Sequence, residues 1–219
     1  MIYNLLTLQN LQKHFSNKAV FMKIVAATKN EGKLREFRQL LAGLDVELVS
    51  QNEVCPDLEV EETGETFEEN AKIKARAVFE RTGLTCVADD SGLEVIALDC
   101  RPGVYSARYC GEDTGYDVKI PALLKELEDK DDRSARFVCS ICCVVAPDGE
   151  EIYAKGVCDG EIGYELRGEG GFGYDPIFYV GEKSTAELSA DEKNEISHRG
   201  KAMREFIEKF EEFCRRKNK

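Results

Sequence analysis

A short apolar run, Cys86-Val87-Ala88, stops abruptly on Asp89-Asp90-Ser91-Gly92 before the chain turns apolar again at Leu93. The run reads as a buried strand, and two carboxylates at its end are costly unless something compensates them. In α/β folds the region past the carboxyl end of a strand is where ligands bind. A divalent cation is the simplest compensation for Asp89 and Asp90, and Mg²⁺ favours one or two carboxylates together with substrate phosphates. A solvated Asp-Asp-Ser-Gly turn is the competing reading, and these residues alone leave both open.

The chain of 219 residues is long enough for one large domain or two small lobes around a real core. Its net charge of -12 argues against sequence-independent binding to a nucleic acid polymer. The same charge means that an anionic substrate must be met locally by Lys, Arg or a metal. The longest mostly apolar run, residues 137–146, is about half of a membrane span. Nine cysteines, an odd number, with no secretory signal favour reduced thiols and a cytoplasmic location. Cys139-x-x-Cys142 lies in a strand-like run, where residues three apart face opposite sides, so buried thiols fit better than a metal or redox site.

Residues 1–21 read as an N-terminal extension, an amphipathic helix or a frayed tail. Their polar breaks exclude a signal-peptide core, and the lack of arginine disfavours a transit peptide. A single domain is expected over residues 22–219. Ile24 to Ala27 reads as a buried strand, Thr28 to Lys33 as a polar loop, and Leu34, Phe37, Leu40 and Leu41 as the apolar face of a helix. Strand, glycine-containing loop and helix N-terminus together form an anion site, to which Lys33 adds a charge. The spacing is not that of a P-loop, and no Gly-x-Gly-x-x-Gly follows the first strand.

Val46 to Val49 is a second strand, and residues 50–64 read as an acidic loop. Thr66-x-x-Glu69 is a capping box opening a helix that ends at Gly83, with Lys74 projecting to solvent or toward the site. Leu93, Val95 and Ala97 alternate as a strand of their own. Two further strands flank Pro147-Asp148-Gly149 as a hairpin. Four glycines between 168 and 173 surround Phe172 in what reads as an ordered binding loop, with the ring available to stack on a base. Ser189-x-x-Glu192 opens a long helix that carries Lys193, His198 and Arg199 near its start. The order of elements gives α/β with a mixed sheet.

Together these pieces resemble the inosine triphosphate pyrophosphatase family. The match is carried by residues 27–33, by Glu62-Thr63-Gly64 with Phe67 and Glu69-Asn70-Ala71, and by residues 88–93. Residues 105–109, 170–176 and 196–200 complete it, in the right order from Met22 to about residue 210. Members usually begin near the position of Met22, which implies an upstream start for the extension.

The resemblance implies a mixed, elongated central sheet flanked by helices, with two lobes around a cleft. It also implies a homodimer and Mg²⁺-dependent hydrolysis of ITP, dITP and XTP to the monophosphate and pyrophosphate. Glu62 and Asp90 match the metal carboxylates, and Asp90 also orients or deprotonates the attacking water. Substrate contacts fall on Thr28, Lys29, Asn30, Glu31, Gly32, Lys33, Lys74, Ser91, Phe172, Gly173, Tyr174, Asp175, Lys193, His198 and Arg199. The loop from Thr28 to Gly32 would supply backbone N–H donors, and Lys33, Lys74 and Lys193 would neutralise phosphate oxygens. Arg199 and His198 would donate to the 6-keto oxygen, which adenine lacks. Two alternatives stand beside this reading: a pyrophosphatase for other modified nucleotides, and a nucleotide-binding regulator without catalysis.

Overall fold

The computed structural model describes residues 22–217 apart from 43 and 45. The expectation for residues 1–21 therefore lies outside the described residues. Three strands open the sheet: β1 (Met22–Ala26), β2 (Val46–Ser50) and β3 (Thr85–Val95). The short β4 (Arg101–Pro102) follows, then the long hairpin β5 (Ser134–Val145) and β6 (Glu150–Ile162), and the short β7 (Phe178–Val180) and β8 (Lys183–Ser184). The eight strands form one sheet in the order β2-β1-β3-β5-β6-β7-β8, with β4 paired to β3. β1 runs parallel to β2 and β3, and the remaining pairs are antiparallel.

The strand at the carboxylates is longer than its apolar pattern indicates. β3 does not end at Ala88. It pairs with β5 through Asp89, Asp90, Ser91 and Gly92 to Val95, so the expected turn, and the separate strand after it, are one continuous element. Successive side chains on a strand alternate between faces. Asp89 and Ser91 therefore share a face with Val87 and Leu93, while Asp90 points to the other face with Ala88.

Helices cover both faces. α1 (Glu31–Leu40) and α6 (His198–Lys217) bury Leu34, Phe37, Met203, Phe206 and Phe210 against Val87, Cys139, Ile141 and Cys143. On the opposite face α3 (Phe67–Thr82) buries Ala71, Ala75 and Val78 against Cys86, Ala88, Cys142 and Val144. Cys139 and Cys142 thus lie in different cores, as their spacing predicts. α4 (Tyr116–Glu126) builds a third core with Leu93, Val95, Phe137, Ile162 and Phe178 toward the far end of the long strands. The cleft is lined from the sides of all three cores, by Lys33 and Arg199, by Lys74, and by Leu93 and Phe137.

The capping box of α3 is formed, with Thr66 accepting from the Glu69 N–H and Gly83 ending the helix at φ 67°. The acidic loop 50–64 is partly ordered by α2 (Gln51–Val54). The predicted long C-terminal helix is broken: α5 (Ala190–Ile196) ends at Ser197, whose extended ψ of 156° redirects the chain before α6 begins at His198. The break turns His198 and Arg199 inward, where they are 6% and 2% exposed.

One gap in the sheet positions the cleft. β1 accompanies β3 only as far as Val87, and β4 joins it only at Glu94. Between these points β3 has no strand on that edge. The Val87 carbonyl accepts from the Ala27 N–H, and the Leu93 N–H donates to Ser106 Oγ across the same edge. In an antiparallel ladder the main-chain groups of alternate residues share an edge, so those of Asp89 and Ser91 also point to this opening.

α6 sits directly on β6 at Gly156, where a Cβ would lie 2.1 Å from the His198 carbonyl oxygen and 2.4 Å from the Ala202 nitrogen. Gly156→Ala must push the start of α6 off the sheet. The expected cost is about 1–3 kcal/mol, read by calorimetry as a fall in Tm on the order of 2–10 °C. A rise in KM should accompany it, because His198 and Arg199 move with the helix.

Candidate active site

A cleft of about 440 Å³ opens at the gap in the sheet. Its wall includes Asn30, Lys33, Glu62, Lys74, Asp90, Ser91, Phe172, Gly173, Tyr174, Asp175, Lys193, His198 and Arg199. Residues from six separate stretches of sequence therefore meet in one place. Thr28, Lys29, Glu31 and Gly32 do not line it. Thr28 Oγ1 accepts from the Asn30 N–H at 3.1 Å, and Lys29 turns away to Glu59 at 2.6 Å. Glu31 is exposed in the first turn of α1, where its charge suits the helix dipole. Gly32 is buried beneath Phe172, and a Cβ there would lie 2.8 Å from the ring. Two donors of this loop are already used internally, since the Lys33 N–H goes to Asn30 Oδ1 at 3.1 Å.

The two adjacent aspartates do different work. Asp89 is 1% exposed and gathers cations: its Oδ2 lies 3.2 Å from Lys33 Nζ and accepts from Arg199 Nε at 3.1 Å and Nη2 at 3.0 Å. Its Oδ1 is buried without a partner among the described residues. Burial alone would raise the Asp89 pKa, but Lys33 and Arg199 outweigh it and hold the carboxyl well below the usual range. Arg199 also donates to Ser91 Oγ at 2.8 Å and to Glu36. Four of its N–H donors are committed, and a guanidinium has about five. One donor is left for a ligand.

Glu36, from α1, ties this cluster to Lys193 at 3.0 Å, and Lys193 reaches Asp175 at 2.7 Å. Asp175 is the clasp of the glycine loop. Its Oδ2 accepts from the Phe172 N–H at 2.7 Å and its Oδ1 from Thr185 Oγ1 at 2.9 Å. Gly171 and Gly173, at φ 71° and 70°, bend the chain around it. Phe172 is thereby held half-buried, with Lys193 Nζ 4.9 Å from its ring centroid.

Across the cleft, Asp90 faces the helix α3. Lys74 Nζ lies 3.0 Å from Asp90 Oδ1 and 3.0 Å from Glu62 Oε1, and Asn70 Nδ2 donates to Asp90 Oδ2 at 3.2 Å. Burial pushes the Asp90 pKa up, and the neighbouring Glu62 adds to this against the pull of Lys74 and Lys33. Burial would depress Lys74, but Asp90, Glu62 and Asp89 outweigh it and keep the ammonium charged.

His198 stacks on Phe137 with centroids 4.7 Å apart, and its Nδ1 is buried without a partner among the described residues. Burial, reinforced by Arg199 and Lys193, pushes its pKa well below the ordinary value, so the ring is neutral and offers one N–H.

Sequence reasoning missed Glu36, Asn70 and the cation-gathering role of Asp89. It also left Arg108 without a role, although Arg108 lines the cleft with no carboxylate partner among the described residues. Glu36 left a weak signal: it stands three residues after Lys33, on the same side of the helix.

A family model described as the Ham1 family matches residues 24–209, nearly all of the described chain. The chain belongs to the Ham1 family. It is 49% identical over 197 residues to a dITP/XTP pyrophosphatase of Bacillus cereus, covering 87% of this chain and 96% of that one. A dITP/XTP pyrophosphatase of Desulforamulus reducens is 50% identical over 192 residues, covering 85% and 94%. Among solved structures, the Staphylococcus aureus Ham1 protein aligns with a TM-score of 0.75 at 46% identity, covering 83% of this chain and 94% of that one. A HAM1 protein from Coxiella burnetii aligns at 0.77 and 45%, covering 84% and 95%. The mixed sheet with helices on both faces is thus the Ham1 architecture.

In this Ham1-family chain Asp89→Asn leaves Lys33 buried without its counter-charge and leaves Arg199 with Glu36 alone. The expected loss is about 3 kcal/mol at pH 7, measured by urea unfolding. Because the folded-state pKa of Asp89 is depressed, its stabilisation is complete above the unfolded-chain value of about 3.9. It is lost as pH falls through the lower folded value. The stability gap between wild type and variant should therefore be constant above about pH 5 and close in stronger acid.

Proposed function

We propose that the chain is a nucleoside triphosphate pyrophosphatase that hydrolyses deaminated purine nucleotides, ITP, dITP and XTP, to the monophosphate and pyrophosphate. One observation carries the reading. An oxygen of Glu62 and an oxygen of Asp90 converge to 3.0 Å from a single ammonium, in the same cleft as Lys33, Phe172 and Arg199. The dITP/XTP pyrophosphatase names of relatives at 49–50% identity support it.

Glu62 and Asp90 fit Mg²⁺. No group of three or more His, Cys, Asp or Glu able to hold a metal occurs among the described residues. Two carboxylates suffice for an ion whose remaining positions are filled by substrate phosphates and water. Glu62 and Asp90 together exceed the charge of Lys74 by one, so the pocket itself favours a cation. When bound, the ion supplies positive charge against the triphosphate and polarises the α-phosphate.

The chain's own residues do the rest. Asp90 accepts a hydrogen bond or a proton from the water that attacks the α-phosphate. Lys33, Lys193 and Arg108 face the phosphates, and Ser91 donates a hydroxyl hydrogen to them. Phe172 packs on the base. The single free donor of Arg199 and the one N–H of neutral His198 read the 6-keto oxygen. Adenine presents an amino group there and leaves those donors unpaired, which rejects it. Working as a homodimer in the cytoplasm belongs to the same reading. It is supported by the family resemblance and by nine cysteines that are all unpaired. No helix among the described residues is long and apolar enough to cross a membrane.

With Mg²⁺ and a panel of ITP, dITP, XTP, ATP and GTP, pyrophosphate should appear from the first three alone. Orthophosphate as the first product would discard the mechanism, and tight ITP binding without turnover would favour a regulator. Asp90→Asn should lower kcat by roughly 10²-fold or more. The acid limb of the wild-type kcat/KM profile should fall at a pH above the ordinary aspartate value, because activity requires the ionised Asp90 whose pKa is raised.

A further inference from the structure

The geometry points to Lys74 as a placeholder cation that keeps the metal carboxylates occupied until a triphosphate arrives. The inference rests on the reading of Glu62 and Asp90 as the metal ligands and concerns what happens at them before the metal binds. Lys74 Nζ sits 3.0 Å from Glu62 Oε1 and 3.0 Å from Asp90 Oδ1, and its side chain is only 11% exposed. The second oxygen of Asp90 is taken by Asn70 Nδ2 at 3.2 Å, and Asn70 is itself fixed by accepting from the Gly64 N–H at 2.8 Å. The Asp90 carboxylate is thus oriented with one oxygen presented to the ammonium.

A divalent cation entering between Glu62 and Asp90 competes with Lys74 for the same two oxygens. The ammonium cannot stay, because two positive centres would share one pair of carboxylates. Nor can it leave freely. Displaced on a largely buried helix face, it needs another anion, since an unpaired buried charge is strongly disfavoured. The nearby buried carboxylates Asp89, Glu36 and Asp175 are already paired with Lys33, Arg199 and Lys193, and the other carboxylates that line the cleft, Glu61 and Glu112, are exposed to water and offer no buried partner. The anion that can receive Lys74 is the triphosphate itself.

Metal and nucleotide therefore bind with positive coupling, and Lys74 is the coupling element. Each ligand favours the arrangement the other needs, and by linkage the effect is mutual. Free divalent cation meets two carboxylates whose facing oxygens are already bound to the chain's own ammonium. The metal–nucleotide complex meets carboxylates whose lysine has somewhere to go.

Mn²⁺ titration of the nucleotide-free protein, followed by electron paramagnetic resonance of the unbound ion, tests this without turnover. Lys74→Met keeps the stem and removes the charge, and Lys74→Gln keeps a donor as well. Both should bind Mn²⁺ about tenfold or more tighter than wild type, with the gain abolished in Lys74→Met/Asp90→Asn. Equal affinity in wild type and in both folded variants would overturn the exchange. If Asp90→Asn still weakened Mn²⁺ binding in the presence of an α,β-imido analogue of ITP, the metal site would survive that result. A gain in Lys74→Met that persists when Asp90 is changed to Asn would place the ion elsewhere and overturn the metal reading itself.

Discussion

A single buried carboxylate oxygen, Asp89 Oδ2, holds the cleft together. Lys33 arrives at it from α1 and Arg199 from α6, two elements far apart in sequence that share the same core. A charge buried to this depth is tolerated only when paired and hydrogen-bonded. The pairing therefore decides where both helices can stand, and Glu36 repeats the constraint by binding Arg199 and Lys193 at once. Three carboxylates and three cations close on one another here. The second cluster, around Asp90, is left with an excess of one negative charge. The contrast separates a rigid, self-neutralised frame from a reactive side that is still short of a cation.

The division between Asp89 and Asp90 depends on the strand that carries them. Neighbours on a strand face opposite ways, so two identical side chains enter opposite environments. One is wrapped by a guanidinium and a lysine and stays ionised. The other shares its cation with Glu62 and has its pKa pushed up. Sequence adjacency and chemical equivalence are unrelated at such a position.

Most of the frame was legible where local signals suffice. The Thr66-x-x-Glu69 and Ser189-x-x-Glu192 capping boxes and the hairpin at Gly149 are encoded within a few residues and form as read, whereas the loop before α1 is shorter than read, because the helix already starts at Glu31. The course of β3 was not legible, because its apolar pattern breaks at Asp89 while its ladder with β5 continues. The break at Ser197 was hidden for the opposite reason: the apolar period runs through it although the backbone does not. Glu36 and Asn70 gave little sign of their work. Their partners lie 163 and 20 residues away, and only the packed sheet brings them together.

The interrupted edge of β3 has a consequence for how such a cleft changes over generations. Between Val87 and Glu94 the strand offers the cleft its own peptide groups as well as its side chains. A codon change can replace a lysine or an aspartate, but it cannot delete a peptide N–H short of introducing proline. That part of the wall is passed on whatever residues occupy it. Drift can then rework the surrounding side chains, and with them the choice of ligand, over a floor that stays the same.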